Sequence, residues 1–336
     1  MTDYEFGTAS QLACALREKR ISSLELVNRS IARIETLDTR INAVIARDFD
    51  KARADAVLAD KGLAAGDRRP LLGLPMTVKE AFNVAGLPTT WGLPPFKDFR
   101  PPQDALIVTR AKTAGAIVLG KTNVPLLLAD YQSYNDIYGT TNNPWDLTRT
   151  PGGSSGGSAA ALAAGYVPLE LGSDIGGSLR VPAVFCGVYA HKPSQGLVPS
   201  RGHTPPGVPP GPDHVDLAVV GPMARSAADL SLLLDVIAGP DEPLATGYQL
   251  ALRSPRHTRL TDFRVLVLNS HPLLPTALAI TSAIARLTER LAKSGCSIAH
   301  LTPLLPDLSL AGRIYIQQLM AFMVGPDLPA NAYRGM

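Results

Sequence analysis

Seven consecutive positions, Gly152 to Ser158 within TPGGSSGGSAAALAAG, hold four glycines and three serines and run directly into an alanine-rich stretch. Hydroxyls set among glycines suit nucleophilic chemistry, because small neighbours let substrate and backbone approach closely. A flexible linker fits poorly, since such linkers are flanked by polar sequence. A phosphate loop fits no better, as there is no Gly-Lys-Ser/Thr ending and no GxGxxG after a strand. The GxSxG pattern of a nucleophile elbow occurs twice, around Ser154 and around Ser155, with His271 or His300 able to supply a base in the usual chain order. That motif needs a strand immediately before it, and the preceding NNPWDLTRTP is a proline-bearing loop.

A second glycine turn, GSDIGGSLRVP from 172 to 182, follows a strand-like run and reaches Ser178 through small residues. Successive backbone N–H groups in such a turn point into one cavity, which is how an oxyanion hole is built. Ser178 is therefore a nucleophile candidate, and it needs a base. None of the six histidines stands in a recognisable triad motif, and His191 in YAHKPS reads as a hydrogen-bonded structural residue. A neutral lysine can do the work. Lys79 ends the apolar run LLGLPMTV, where burial disfavours an ammonium. Lowering a lysine from ~10.4 to ~7.5 requires roughly 4 kcal/mol of differential destabilisation. By residue type alone, Lys79 also reads as an ordinary strand-end lysine.

Several elements must hold these groups. Thr8-x-x-Gln11 and Ser22-x-x-Glu25 match the capping box, and Leu24, Val27, Ile31, Ile34 and Leu37 form one apolar helical stripe behind the second. Residues 105 to 114 read as a helix, 116 to 119 as a strand, 156 to 164 as a helix and 167 to 172 as a strand. Ser226-x-x-Asp229 caps a further helix, FRVLVL from 263 to 268 reads as a buried strand, and a helix follows near 276 to 294. This alternation predicts an α/β fold, a mixed central β-sheet covered by α-helices on both faces. Residues 199 to 214 are rich in proline and glycine and read as a long surface loop within one domain spanning 1 to 336.

Composition narrows the class. The 336 residues are 46% hydrophobic and 18% charged, which describes a compact globular chain. A net charge of +3 without a basic run implies neither a nucleic-acid partner nor a lipid anchor. Cys14, Cys186 and Cys296 are too scattered for a metal motif or a disulfide framework and read as reduced thiols. The acidic opening MTDYEFG lacks a signal-peptide pattern, and no apolar stretch is long enough to span a bilayer, so a cytoplasmic protein is expected.

Taken together, GGSSGGSAAALAAGYVPLELGSDIGGSLRVPAVFCGVYAHKP (152 to 193) and LPMTVKEAFNVAGLPTTWG (74 to 92) resemble the amidase signature family. The spacing agrees as well, with 24 residues from Ser154 to Ser178 and 99 from Lys79 to Ser178. The likeness is close from Thr8 through Gly239, and LGKTNVPLLLADYQSYNDIYGTTNNPWD shares it; residues 240 to 336 match loosely. The resemblance implies a Ser-cisSer-Lys triad in which Ser178 is the acyl-forming nucleophile, Ser154 the bridging serine after a cis peptide, and Lys79 the base. It implies oxyanion donors among Ile175, Gly176, Gly177 and Ser178, a bracing ion pair between Asp174 and Arg180, and a pocket contact at Leu128. No metal or organic cofactor is implied, the substrate would be a small-molecule amide, and members are often homodimers. Members usually run longer than this chain, which ends at NAYRGM, so a C-terminally short member is expected. The alternative is a catalytically impaired or partner-dependent relative, such as the glutamine-hydrolysing subunit of an amidotransferase. That subunit typically has an SLDQ-type segment where this chain reads HVDLAVVGPMARS, which favours a free-standing amidase, and the polar start argues against a membrane-associating lipid amidase.

Overall fold

The computed structural model describes residues 4–211 and 215–324. The chain divides into two compact units, Met1–Leu250 and Ala251–Met336. In chain order the first unit comprises α1 (Ala9–Arg17), α2 (Ser23–Ile41), β1 (Val44–Arg47), α3 (Phe49–Ala64), β2 (Pro75–Lys79), α4 (Leu106–Thr113) and β3 (Ile117–Thr122). A small hairpin, β4 (Tyr134–Asn135) and β5 (Gly139–Thr140), precedes α5 (Gly156–Ala163) and β6 (Leu169–Asp174). Then come α6 (Arg180–Cys186), β7 (Tyr189–Ala190), β8 (Val219–Ala224), α7 (Ala227–Ile237) and α8 (Glu242–Ala245).

Six strands form one mixed sheet in the order β1-β3-β2-β6-β8-β7. The pairs β2–β3 and β2–β6 are parallel; β1–β3, β6–β8 and β7–β8 are antiparallel. Strand alternation gives the sheet two buried faces. Met76, Val78, Val118, Leu169, Leu171 and Val220 pack into one core with α1, α4 and α7. Ile117, Leu119 and Met223 pack into the other with α2, α3 and α5. The expected α/β architecture is present.

Both N-terminal capping boxes form, at Thr8 with Gln11 and at Ser22 with Glu25, and Ser226 caps α7 through the Asp229 N–H. The strand and helix readings at 105 to 119 and 156 to 172 hold within a few residues. Described residues of the 199 to 214 stretch are turns and loop; the last three, 212 to 214, lie outside the described residues.

The second unit contains β9 (Arg264–Leu266), α9 (Leu278–Lys293), β10 (Ser297–Ala299) and α10 (Leu308–Val324). Strands β9 and β10 pair in parallel as a two-stranded sheet. The stretch read as a buried strand is a short, partly open one: Arg264 is exposed and Val265 and Leu266 are half-buried. Its apolar run suggested a central strand, but a two-stranded sheet cannot enclose both of its faces. Among the described residues no helix is long and apolar enough to cross a membrane, and no group of three His, Cys, Asp or Glu side chains could hold a metal ion. All three cysteines are free thiols.

Candidate active site

In β2 all five residues of PMTVK are buried, and Met76 and Val78 take the face packed by α1, α4 and α7. Thr77 and Lys79 therefore point to the opposite face. Lys79 pairs in register with Thr122 of β3, and Thr77 with Glu170 of β6. Helix α5 crosses this face and packs on β2, β3 and β6. A polar strip is thus sealed between sheet and helix, with Thr77, Lys79, Thr122, Ser158 and Glu170 all fully buried.

At the carboxyl end of β2, Lys79 Nζ lies 2.7 Å from Ser154 Oγ and 3.0 Å from both Ser155 Oγ and Ser173 Oγ. As an ammonium it donates to all three hydroxyls; as a free amine it has a lone pair to accept from one. Burial lowers its pKa from the ordinary 10.5 to about 7, against the opposing pull of Asp174 and Glu170. That fall corresponds to about 5 kcal/mol of differential destabilisation, the scale expected for a lysine in a dry interior.

Ser154 and Ser155 occupy the turn that enters α5, and the Gly153–Ser154 peptide is cis. Glycines let this turn pass between neighbours. A Cβ at Gly153 would strike the carbonyl oxygens of Asp130 and Gln132, and one at Gly157 would strike the backbone of Asn123. The residues before the turn form a loop with an isolated bridge between Asn143 and Asp146, so no strand leads into either GxSxG. Both serines instead face the lysine. His271, a candidate elbow base by sequence, has its Nδ1 accept from the Leu273 N–H.

The second turn leaves β6 at Asp174 and reaches α6 through Ile175 to Leu179. Ser155 N donates to Ser178 O at 3.2 Å, which joins the two serine turns through the backbone. Asp174 is the hub of the second turn: its carboxylate accepts from Gly177 N at 2.8 Å and Leu179 N at 3.0 Å, and pairs with the Arg180 guanidinium at 2.9 and 3.0 Å. Burial pushes the Asp174 pKa up, but the Arg180 bond and the backbone N–H groups outweigh it and hold the carboxyl below its ordinary value. The Gly177 N–H, expected among the oxyanion donors, is thus occupied by Asp174. Gly176 and Ser178 keep N–H groups without an acceptor among the described residues. Tyr131 donates its hydroxyl to Gly176 O at 2.6 Å. Leu128 is half-buried in the short 3₁₀ turn Leu126–Leu128, on the segment leading to Tyr131. His191 is tied by its N–H to Pro222 O at 3.1 Å.

A family model described as Amidase matches residues 25–326. The chain belongs to the amidase signature family. The A subunit of the glutamyl-tRNA(Gln) amidotransferase of Chromohalobacter salexigens is 44% identical over 234 residues, covering 70% of this chain and 47% of that protein. A putative amidase, AmiB2, of Mycobacterium bovis is 40% identical over 259 residues, covering 77% of this chain and 54% of its own. Among solved structures, a fatty acid amide hydrolase matches with a TM-score of 0.83 at 25% identity, over 95% of this chain and 57% of that one. A 6-aminohexanoate cyclic dimer hydrolase matches at 0.79 and 28% identity, over 98% and 70%. The chain spans about half the length of the curated relatives it matches.

Residue types single out Lys79, Ser154 and Ser178, and the geometry puts Lys79 on Ser154 and ties the Ser178 backbone to Ser155. Ser173 and Glu170 do not stand out in the sequence in the same way. A signal for Glu170 is present, since a carboxylate between Leu169 and Leu171 in a strand buried on both faces has no route to solvent.

Proposed function

We propose that this chain hydrolyses a carboxylic amide through a serine acyl-enzyme. The observation that carries the reading is the fully buried Lys79 amine, with a pKa near 7, at 2.7 Å from Ser154 Oγ. Free Lys79 takes the proton of Ser154 as Ser154 takes that of Ser178, and Ser178 Oγ forms a bond to the carbonyl carbon. The N–H groups of Gly176 and Ser178 are the donors for the developing oxyanion; one such donor commonly contributes ~3 kcal/mol. Collapse of the tetrahedral intermediate breaks the C–N bond, and the relay returns the proton to the departing amine. Water then attacks the acyl-enzyme to release the acid. Asp174 and Arg180 hold the turn that presents Ser178. The substrate is a small-molecule amide, no cofactor takes part, and the chain acts in the cytoplasm, alone or as a homodimer.

Hydrolysis of a chromogenic anilide tests the reading. Ser178→Ala is expected to lower kcat by about 10³-fold or more, and a fluorophosphonate is expected to label the parent at Ser178. Lys79→Met is expected to abolish both. Because Lys79 acts as a free base, kcat/KM is expected to rise with pH through a midpoint near 7. An unchanged rate in Ser178→Ala would reject the proposal.

A second reading, the glutaminase component of an amidotransferase, draws on relatives such as the Chromohalobacter protein. Comparison of glutamine with the anilide separates the two, since a dedicated glutaminase would release ammonia from glutamine and leave the anilide intact.

A further inference from the structure

The sealed strip that holds Lys79 also holds an acid that the relay leaves unused. Glu170 is fully buried near the start of β6, paired in register with Thr77, two residues before Lys79 on the same face of β2. Its Oε1 accepts from Thr122 Oγ1 at 3.0 Å and its Oε2 from Leu171 N at 2.8 Å. Thr122, the register partner of Lys79, lies 2.9 Å from Ser158 Oγ of α5, so the carboxyl is fixed from β3 and α5 at once.

Among the described residues two acids act on Lys79, Asp174 first and Glu170 after it, and Lys79 in turn acts on His203. They differ in compensation. Asp174 is neutralised by Arg180 and three backbone N–H groups, which fixes its charge. Glu170 makes no salt bridge among the described residues; Thr77, Thr122 and Ser158 around it are neutral hydroxyls, and Met223 stands opposite on β8. Lys79, on the same face of the sheet two residues beyond Thr77, is a cation on which Glu170 acts. A buried carboxyl without a cation favours its neutral form, and burial raises Glu170 to about 7.

We propose that Glu170 is a positioning residue that sets the charge of Lys79: as a neutral acid it leaves the amine free to act as base, and as a carboxylate it favours the ammonium and holds the relay idle. This inference rests on the serine amidase reading for its consequence in turnover. The group acts through Lys79 and touches no reacting atom.

The test compares Glu170→Gln, a neutral isostere, and Glu170→Asp with the parent. In Glu170→Gln the ascending midpoint of kcat/KM for the anilide is expected to move down by about one pH unit, and in Glu170→Asp to return toward the parent value. An unmoved midpoint in Glu170→Gln overturns the proposal. The Lys79 charge is read independently of turnover by titrating the lysine side-chain carbons by NMR, with the Lys79 signal assigned through Lys79→Arg. If no anilide is hydrolysed, the amidase reading fails by itself; the same downward shift of the Lys79 titration upholds the Glu170 proposal, and an unchanged titration overturns it. Should Glu170→Gln fail to fold, Thr122→Val removes the hydrogen bond that favours the carboxylate. It is expected to shift the Lys79 titration in the same direction, and no shift counts against the proposal.

Discussion

Asp174 shows how much a single side chain can be asked to hold. It satisfies three backbone N–H groups, those of Gly177, Leu179 and Arg180, and one guanidinium, while its own carboxylate is fully buried. Arg180 is more than half exposed, so its share of the pairing is screened by solvent. The backbone bonds carry the larger part, because an N–H stripped of its acceptor inside the protein costs about 1–3 kcal/mol. Asp174→Ala is therefore expected to lower stability by about 3 kcal/mol in urea titration and to reduce fluorophosphonate labelling at Ser178. Arg180→Ala is expected to cost about 1 kcal/mol. Equal losses for the two variants would contradict this ordering.

Among elements, α5 is the one on which the candidate site depends. It closes the polar strip over β2, β3 and β6, and it does so because Gly157 allows the helix to sit against the backbone of Asn123. Gly157→Ala is expected to lift α5 from the sheet and reduce labelling of Ser178 at least tenfold; normal labelling would show that the contact yields. The capping serine of α2 is a milder case, and Ser22→Ala is expected to cost about 1 kcal/mol in thermal unfolding without altering labelling. Much of this layer was legible in the sequence. Caps at Thr8, Ser22 and Ser226 are local chemistry, and the apolar run LLGLPMTV already puts Lys79 at the end of a strand. The partly open β9 was not legible, because apolar composition does not report how many strands flank it. Nor was the company of Lys79: Ser173 and Glu170 reach it only through the pairing of β2 with β6, two segments some 90 residues apart in the chain.

At the scale of the first unit, buried ionisable groups make stability depend on pH in opposing ways. His203 stacks against Phe82 and Trp91, with ring centroids at 4.7 and 5.1 Å, and its buried Nε2 has no hydrogen-bond partner among the described residues. Burial, with a contribution from Lys79, lowers its pKa from 6.5 to about 3. The unfolded chain therefore binds the extra proton more readily, and the stability tied to His203 is full above pH 6.5 and lost as pH falls toward 3. Glu170 works in reverse. Its folded value of about 7 lies above the ordinary 4.5, so its contribution is full below pH 4.5 and lost as pH rises through 7. Between pH 4.5 and 6.5 these two slopes oppose each other. His203→Phe keeps a ring in the stack and removes one slope, so its denaturant midpoint is expected to rise on going from pH 6.5 to 4.5 relative to the parent. A constant difference between variant and parent across that range would show that His203 titrates normally.

The phenol of Tyr131 gives the glycine turn a contact with the outside. About half of this residue is open to solvent, yet its oxygen grips the carbonyl of Gly176. Nitration makes a phenol more acidic, and a phenolate has no hydrogen left to offer that carbonyl, so the two oxygens would repel. A reagent confined to the surface would then loosen the wall beside Ser178 in alkaline but not in acidic buffer. Slower fluorophosphonate labelling of nitrated protein in the former alone, absent in Tyr131→Phe, is the expected signature.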